Sequence, residues 1–257
     1  MKRIVMLLAM VLLVPHIWSQ ENKEAKDKED RNFRIPLIGE TAPSFVAEST
    51  QGTLMFPGDF GRKWKILFSH PQDFTPVCSS EILELAYLQN DFEKLGAQLV
   101  VLSTDPIDMH RQWKKALEQI EYKGREPVKI RFPIVDDESI QVSKMYGMIH
   151  ATSNTTRDVR GVYIIDPDDI IRAIYFYPEN IGRSTNELLR AVSALQTADK
   201  YAVLTPADWS EGNDVFLPYP EKYDKYPAKI STAGENGMTD ADVYQLAWFM
   251  LFRKFHP

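Results

Sequence analysis

The chain has one cysteine in 257 residues, Cys78, so no disulfide can close within it and no Cys-x-x-Cys redox pair is open to it. Dithiol exchange inside one subunit is excluded. Basic runs are equally scarce, none longer than two residues, and with 30 Lys and Arg against 36 Asp and Glu the formal net charge is −6. That balance lacks the basic face of a nucleic-acid binder. There is no internal repeat, no glycine-rich phosphate loop and no metal-ligand spacing, so neither a cofactor nor a metal is expected. Histidines are scattered, at His70, His110, His150 and His256 beyond the first stretch. The longest apolar run, Ile4 to Val14, is too short to span a bilayer.

That run follows Met1-Lys2-Arg3 and leads into Pro15 and Ser19, the shape of a secretory signal peptide over 1–19. An uncleaved anchor and a buried helix of the fold are the alternatives. Export, to a periplasm or along a secretory route, suits a chain with no spare thiol to mispair. Residues 20–32 are almost all polar, with Lys and Glu interleaved, and read as a flexible linker. Asn154-Thr155-Thr156 is a glycosylation acceptor triplet, of consequence only where secreted proteins are glycosylated.

From 33 to 200 the patterning predicts one domain of alternating strands and helices. A small hairpin is expected at Phe45–Val46 and Thr53–Met55, then strands at Lys65–Phe68, Gln98–Ser103, Phe132–Val135, Gly161–Ile165 and Ile170–Tyr177. Helices are expected at Pro106–Glu121, Glu138–Tyr146 and Ser184–Thr197, and one more starts near Thr75 and ends at Gly96. Such an order predicts an α/β fold, a mixed sheet covered by helices on both faces, and is the order of elements of a thioredoxin fold. The remainder, 201–257, is punctuated by Pro206, Pro218 and Pro220 and cannot be one long helix. Asp240 to Lys254 is expected to form a helix with Val243, Leu246, Ala247, Met250 and Leu251 on one face. Docking on the body or on a partner subunit is the expectation for it, and a membrane contact is not expected.

Cys78 falls in the first turn of the helix after Thr75, a good N-cap, and Pro76, a good first helical residue. First-turn N–H groups lack intrahelical partners, and the helix dipole adds partial positive charge, so a thiolate is favoured over a thiol there. The thiolate is the nucleophile. His70, eight residues earlier, raises a different possibility, a Cys–His pair of the cysteine-protease kind. No Asn or Asp orienter is apparent for it, and it is expected at the pocket mouth or the strand end.

The run His70-Pro71-Gln72-Asp73-Phe74-Thr75-Pro76-Val77-Cys78 resembles the active-site signature of the peroxiredoxins, in the wording of the one-cysteine, peroxiredoxin-6-like branch. The similarity extends from about Ile35 to Pro220. The resemblance implies a thioredoxin-like fold with a small C-terminal domain that packs on a partner subunit, hence a homodimer or higher homo-oligomer. It implies a thiol-dependent peroxidase in which Cys78 attacks hydrogen peroxide or an organic hydroperoxide. It assigns Thr75 to bind the peroxide, Pro71 to shield the pocket, Arg160 to supply the cation and Arg183 as a second arginine, with Glu81 as a carboxylate available to Arg183. With no second thiol, the sulfenic acid on Cys78 must be reduced by an external thiol, a thioredoxin-like protein or another donor. The alternative is a redox-linked chaperone or structural oligomer with little turnover. Where some members of the branch carry Gly-x-Ser-x-Gly, this chain reads Gly61-Arg62-Lys63-Trp64-Lys65, so no phospholipase activity is expected from that site.

Overall fold

A computed structural model describes residues 35–150, 156–218, 242–247 and 249–255. The signal-peptide stretch, the linker and Asn154 lie outside them. The chain divides into two compact units, one holding residues up to Ala86 and Gln98–Gly182, the other Tyr87–Ala97 and everything from Arg183.

The first unit is built on a five-stranded mixed sheet with flanking helices. Its strands are β3 (Trp64–Ser69), β4 (Ala97–Ser103), β5 (Ile134–Asp136), β6 (Arg160–Ile165) and β7 (Ile171–Tyr177), in the order β5-β4-β3-β6-β7. β4 and β5 run parallel, whereas β6 is antiparallel to both β3 and β7. A separate hairpin pairs β1 (Phe45–Ala47) with β2 (Leu54–Phe56). The central strands are apolar without alternation, because both of their faces are covered. Leu67, Val100, Leu102, Val135, Tyr163 and Ile165 form the middle of the core, and each fully buried aliphatic side chain contributes about 1.5–3 kcal/mol.

Lys65 departs from that pattern, being fully buried in β3. Its ammonium reaches Asp169 at 2.5 Å and the Asp166 carbonyl at 3.4 Å in the β6–β7 turn. The long stem lies in the core while the charge finds a carboxylate near the surface.

Helix α1 spans Pro76–Lys94 and stops where Gly96 takes up φ +65°, a left-handed conformation suited to glycine just past a helix end. Helix α2 covers Ile107–Leu117, shorter than the periodicity suggested, and buries His110, Trp113 and Leu117 on one face. Helix α3 is only Gln141–Met145, again shorter than expected. It is anchored because the Asp137 carboxylate accepts from Val142 N at 3.0 Å, Ser143 N at 2.7 Å and Ser143 Oγ at 2.6 Å. One side chain there satisfies several first-turn donors.

In the second unit, α4 runs from Thr185 to Tyr201. Ser184 caps it by accepting from Glu187 N, and Ala202 closes it in the left-handed region. Its small core is Ala194, Val203, Trp209, Val215 and Phe255. The expected tail helix is not formed. Val243–Ala247 and Met250–Arg253 are strands β9 and β10, which pair with each other and join β8 (Val215–Phe216) in the order β8-β10-β9. Aromatic pairing explains the outcome: Tyr244 stacks on Phe252 across the ladder at 5.0 Å, and Phe216 meets Phe252 at 4.3 Å. No helix among the described residues is long and apolar enough to cross a membrane.

Candidate active site

Cys78 is the third residue of α1 and is fully buried. The helix ladder begins with Ser79 N donating to the Thr75 carbonyl at 2.9 Å, so the amides of Val77 and Cys78 precede the first intrahelical donor. Arg160 opens β6, which pairs with β3 through Phe68 and Val162, so it lies beside the end of β3 from which the turn His70–Thr75 departs. Ser69 fixes that junction by donating to the Val159 carbonyl at 2.7 Å and accepting from Gly161 N at 2.9 Å.

The Arg160 guanidinium is 2% exposed and fully engaged. Nη1 donates to Cys78 Sγ at 3.3 Å and to Glu81 Oε2 at 2.7 Å, while Nε and Nη2 donate to the Glu179 carbonyl at 2.9 and 2.5 Å. Glu81 stands three residues after Cys78, on the same face of α1, and is as buried as the arginine. The carboxylate balances the guanidinium in a dry setting, and the carbonyl fixes its plane. An oriented cation is thereby held against sulfur.

A cavity of about 210 Å³ adjoins this group, lined by Pro71, Gln72, Thr75, Pro76, Val77, Arg157, Arg160, Glu179 and Asn180. Thr75 Oγ1 donates to the Gln72 carbonyl at 2.8 Å, which leaves its lone pairs to accept. Four of the expected residues therefore converge here: Pro71, Thr75 and Arg160 line the cavity, and Arg160 touches Cys78. Glu81 joins them through Arg160. Arg183 is buried and immediately precedes the Ser184 cap of α4 in the second unit.

Of the two places expected for His70, the pocket mouth and the strand end, it takes the strand end. It directly follows β3 and is fully buried, because its ring packs on Trp113 at 4.9 Å and its Nε2 faces Asp73 Oδ1 at 2.8 Å. An aspartate orienter thus exists three residues away. Among the described residues the hydrogen bond reaching Sγ comes from Arg160, not from His70.

Sequence reasoning missed the layer beneath the turn. Asp73 Oδ2 meets His110 Nδ1 at 2.7 Å, and Asp73 N donates to Asp105 Oδ2 at 2.6 Å. Burial alone would raise the Asp73 carboxyl, but its hydrogen bonds to His110 and His70 outweigh that and hold it below its ordinary value. Burial pushes His70 down, more than Asp73 pulls it up. Side-chain N and O atoms of His70, Asp73 and Asp105 lie within 4.8 Å of one another, a grouping no linear spacing announces, and Asp73 and Asp105 are committed there to hydrogen bonds.

A thiol in a first helical turn, on a thioredoxin-like sheet and against a buried guanidinium, defines a thiol-dependent peroxidase. The AhpC/TSA family matches residues 38–174, the C-terminal domain of 1-Cys peroxiredoxin matches 194–227, and the chain belongs to the peroxiredoxins, in their one-cysteine branch. A peroxiredoxin of Methanosarcina mazei is 42% identical over 221 residues, which cover 86% of this chain and 98% of that one. A 1-Cys peroxiredoxin of Dictyostelium discoideum is 37% identical over 197 residues, 77% of this chain and 79% of its own. Among solved structures, a yeast mitochondrial 1-Cys peroxiredoxin superposes with TM-score 0.70 at 33% identity, covering 86% of this chain and 100% of that one. A mutant of peroxiredoxin 6 from Arenicola marina gives 0.65 at 33% identity, over 71% and 84% of the two chains.

Proposed function

We propose that Cys78 is the peroxide-attacking nucleophile of this thiol-dependent peroxidase and that Arg160, Thr75 and Pro71 serve it in distinct ways. The observation that carries this reading is the guanidinium at 3.3 Å from Sγ in a water-poor site. A cation there faces the attacking sulfur and stays in place for charge that develops on the departing oxygen. The sulfur lone pair attacks one peroxide oxygen, the O–O bond breaks, and its electron pair leaves on the second oxygen, which takes a proton to become water or an alcohol. Cys78 is left as a sulfenic acid.

Thr75 Oγ1, with its own proton on the Gln72 carbonyl, accepts from the peroxide O–H and aims the O–O bond at sulfur. Pro71 walls the cavity without adding an N–H that would hold water. Glu81 keeps the guanidinium oriented, and Arg183 is assigned as the second arginine of the site by the resemblance.

With Cys78 the single cysteine, the sulfenic acid condenses with an external thiol to a mixed disulfide and water; a second thiol then releases Cys78 and carries away the disulfide. The yeast mitochondrial 1-Cys peroxiredoxin has its thiol resolved via glutathione and thioredoxin systems, which supports a small thiol or a thioredoxin-like protein as donor here. The C-terminal domain matched at 194–227 supports a homodimer or larger homo-oligomer. The basic and apolar pattern of 1–19 supports export with removal of that segment.

The test is intact mass after one equivalent of hydrogen peroxide, with and without a sulfenic-acid trap. One added oxygen, convertible to one trap adduct on Cys78, is expected. No oxygen gained at Cys78 would sink the assignment.

A further inference from the structure

The buried cluster behind the peroxide cavity holds more hydrogen-bonding atoms than neutral rings can serve. His110, on α2, meets the Val135 carbonyl through Nε2 at 3.1 Å and Asp73 Oδ2 through Nδ1 at 2.7 Å. A carbonyl only accepts, so Nε2 must carry hydrogen, and a neutral imidazole then presents a bare lone pair at Nδ1. That lone pair would face a carboxylate oxygen at 2.7 Å, two acceptors with nothing between them. One more proton is therefore required in the contact. Asp73 also accepts from His70 Nε2 at 2.8 Å, while His70 Nδ1 has no partner among the described residues, which fixes His70 as the neutral Nε2–H tautomer.

We propose that His110 is a buried imidazolium whose Nδ1–H holds Asp73, and that His110 and Asp73 are positioning residues for the peroxidase reaction, setting the turn that carries Pro71 and Thr75. This rests on the reading of Pro71 and Thr75 as the peroxide-facing wall. The depression of the Asp73 carboxyl agrees, since its hydrogen bonds favour the ionised form.

Among the described residues, the groups that face the His110 ring fit a cation there. Asp73 faces it from the turn, the Val135 carbonyl from β5 and the neutral His70 ring at 6.3 Å. Asp105, which precedes α2, accepts from Asp73 N, and Asp136 of β5 accepts from Ile107 N at 2.9 Å at the start of the same helix. Among the described residues, the two histidines are the basic side chains in these hydrogen bonds.

The turn needs such a hold. Phe74, one residue before Thr75, is 56% exposed and sits at φ +56°, a left-handed conformation unfavourable for a bulky residue. Three ties fix the residues before it: His70 N on the Leu102 carbonyl at 3.0 Å, Asp73 N on Asp105, and the Asp73 carboxylate between two histidines. Only the last depends on the extra proton.

The test uses the reduced full-length chain with its five histidines labelled with nitrogen-15. The His110 ring, identified by its loss in His110→Gln, is expected to show two protonated nitrogens at neutral pH and His70 one. Asp73→Asn supplies the discriminating arm. Its amide oxygen still accepts from His70 and its NH₂ donates to His110 Nδ1, so His110 turns neutral while the turn keeps its ties. Peroxide reaction is expected to remain within about 3-fold of the parent in Asp73→Asn and to fall about 10- to 100-fold in Asp73→Ala, the loss typical of a misplaced catalytic group. An unprotonated His110 nitrogen in the parent overturns the proposal, as does an imidazolium that persists in Asp73→Asn. Parental rates in Asp73→Ala overturn the positioning role; should that variant not fold, a loss beyond 10-fold in Asp73→Asn does so. A parent chain inert to peroxide that still shows the imidazolium would instead fault the reading of the site.

Discussion

At the residue scale, the Arg160–Glu81 pair decides how the site must be probed. Both side chains are 2% exposed, so removing one leaves the other charged, buried and uncompensated, at a cost of about 3–5 kcal/mol. Arg160→Ala alone would mix lost chemistry with lost stability. Made together with Glu81→Gln, it is expected to slow peroxide reaction by about 10²–10³-fold, the usual loss on removing one donor aimed at developing charge, with the far-UV spectrum kept. Near-parental reactivity of the double variant would show that another cation serves sulfur. Cys78, Thr75 and Pro71 were legible because they fall within nine consecutive residues. Asp73 and His110 were not, being 37 positions apart and brought together only when α2 packs behind the turn.

At the element scale, α1 was readable almost to its ends from the spacing of Ile82, Leu85 and Phe92 and the closing Gly96, because a long amphipathic helix repeats one signal many times. The tail was misread for the opposite reason. Residues 243–253 are short, aromatic and interrupted, and the same apolar positions fit a helix face or two strands. What settles them is the pairing of β10 with β8, Phe252 with Phe216 and Arg253 with Val215, contacts across 36 and 38 positions that no local pattern contains. Trp209 is the centre of that unit's small core, 1% exposed, with its indole N–H donating to the Asn213 carbonyl at 2.9 Å and Phe255 at 6.3 Å. Trp209→Ala is expected to cost about 3–5 kcal/mol in urea unfolding. A loss below about 1 kcal/mol would mean that the small core adds little to the fold.

At the scale of the whole molecule, stability should carry a pH signature from a carboxyl the function does not use. Asp158 is 2% exposed, and neither of its oxygens has a hydrogen-bond partner among the described residues. Burial pushes it well above its ordinary value of 3.8; the nearby Ser143 side chain opposes this without meeting hydrogen-bond geometry, and the charges of Asp137 and Asp105 add to it. The folded chain thus binds this proton more tightly than the unfolded chain, so stability falls as pH rises from about 4 toward neutrality. Asp158→Asn removes that loss. The variant is expected to match the parent near pH 4 and to be the more stable of the two at pH 7 in urea unfolding. Equal stability at both pH values would show that the carboxyl ionises freely.

The central claim, that Cys78 and the guanidinium beside it make this chain a thiol peroxidase, is tested most directly by mixing the reduced protein with hydrogen peroxide in stopped flow. One equivalent of peroxide is expected to be consumed per chain before any external thiol is added, with a second-order rate constant on the order of 10⁴ M⁻¹ s⁻¹ or higher. No consumption is expected in Cys78→Ser. A parent rate no faster than that of free cysteine in solution, or consumption that survives in Cys78→Ser, would contradict it.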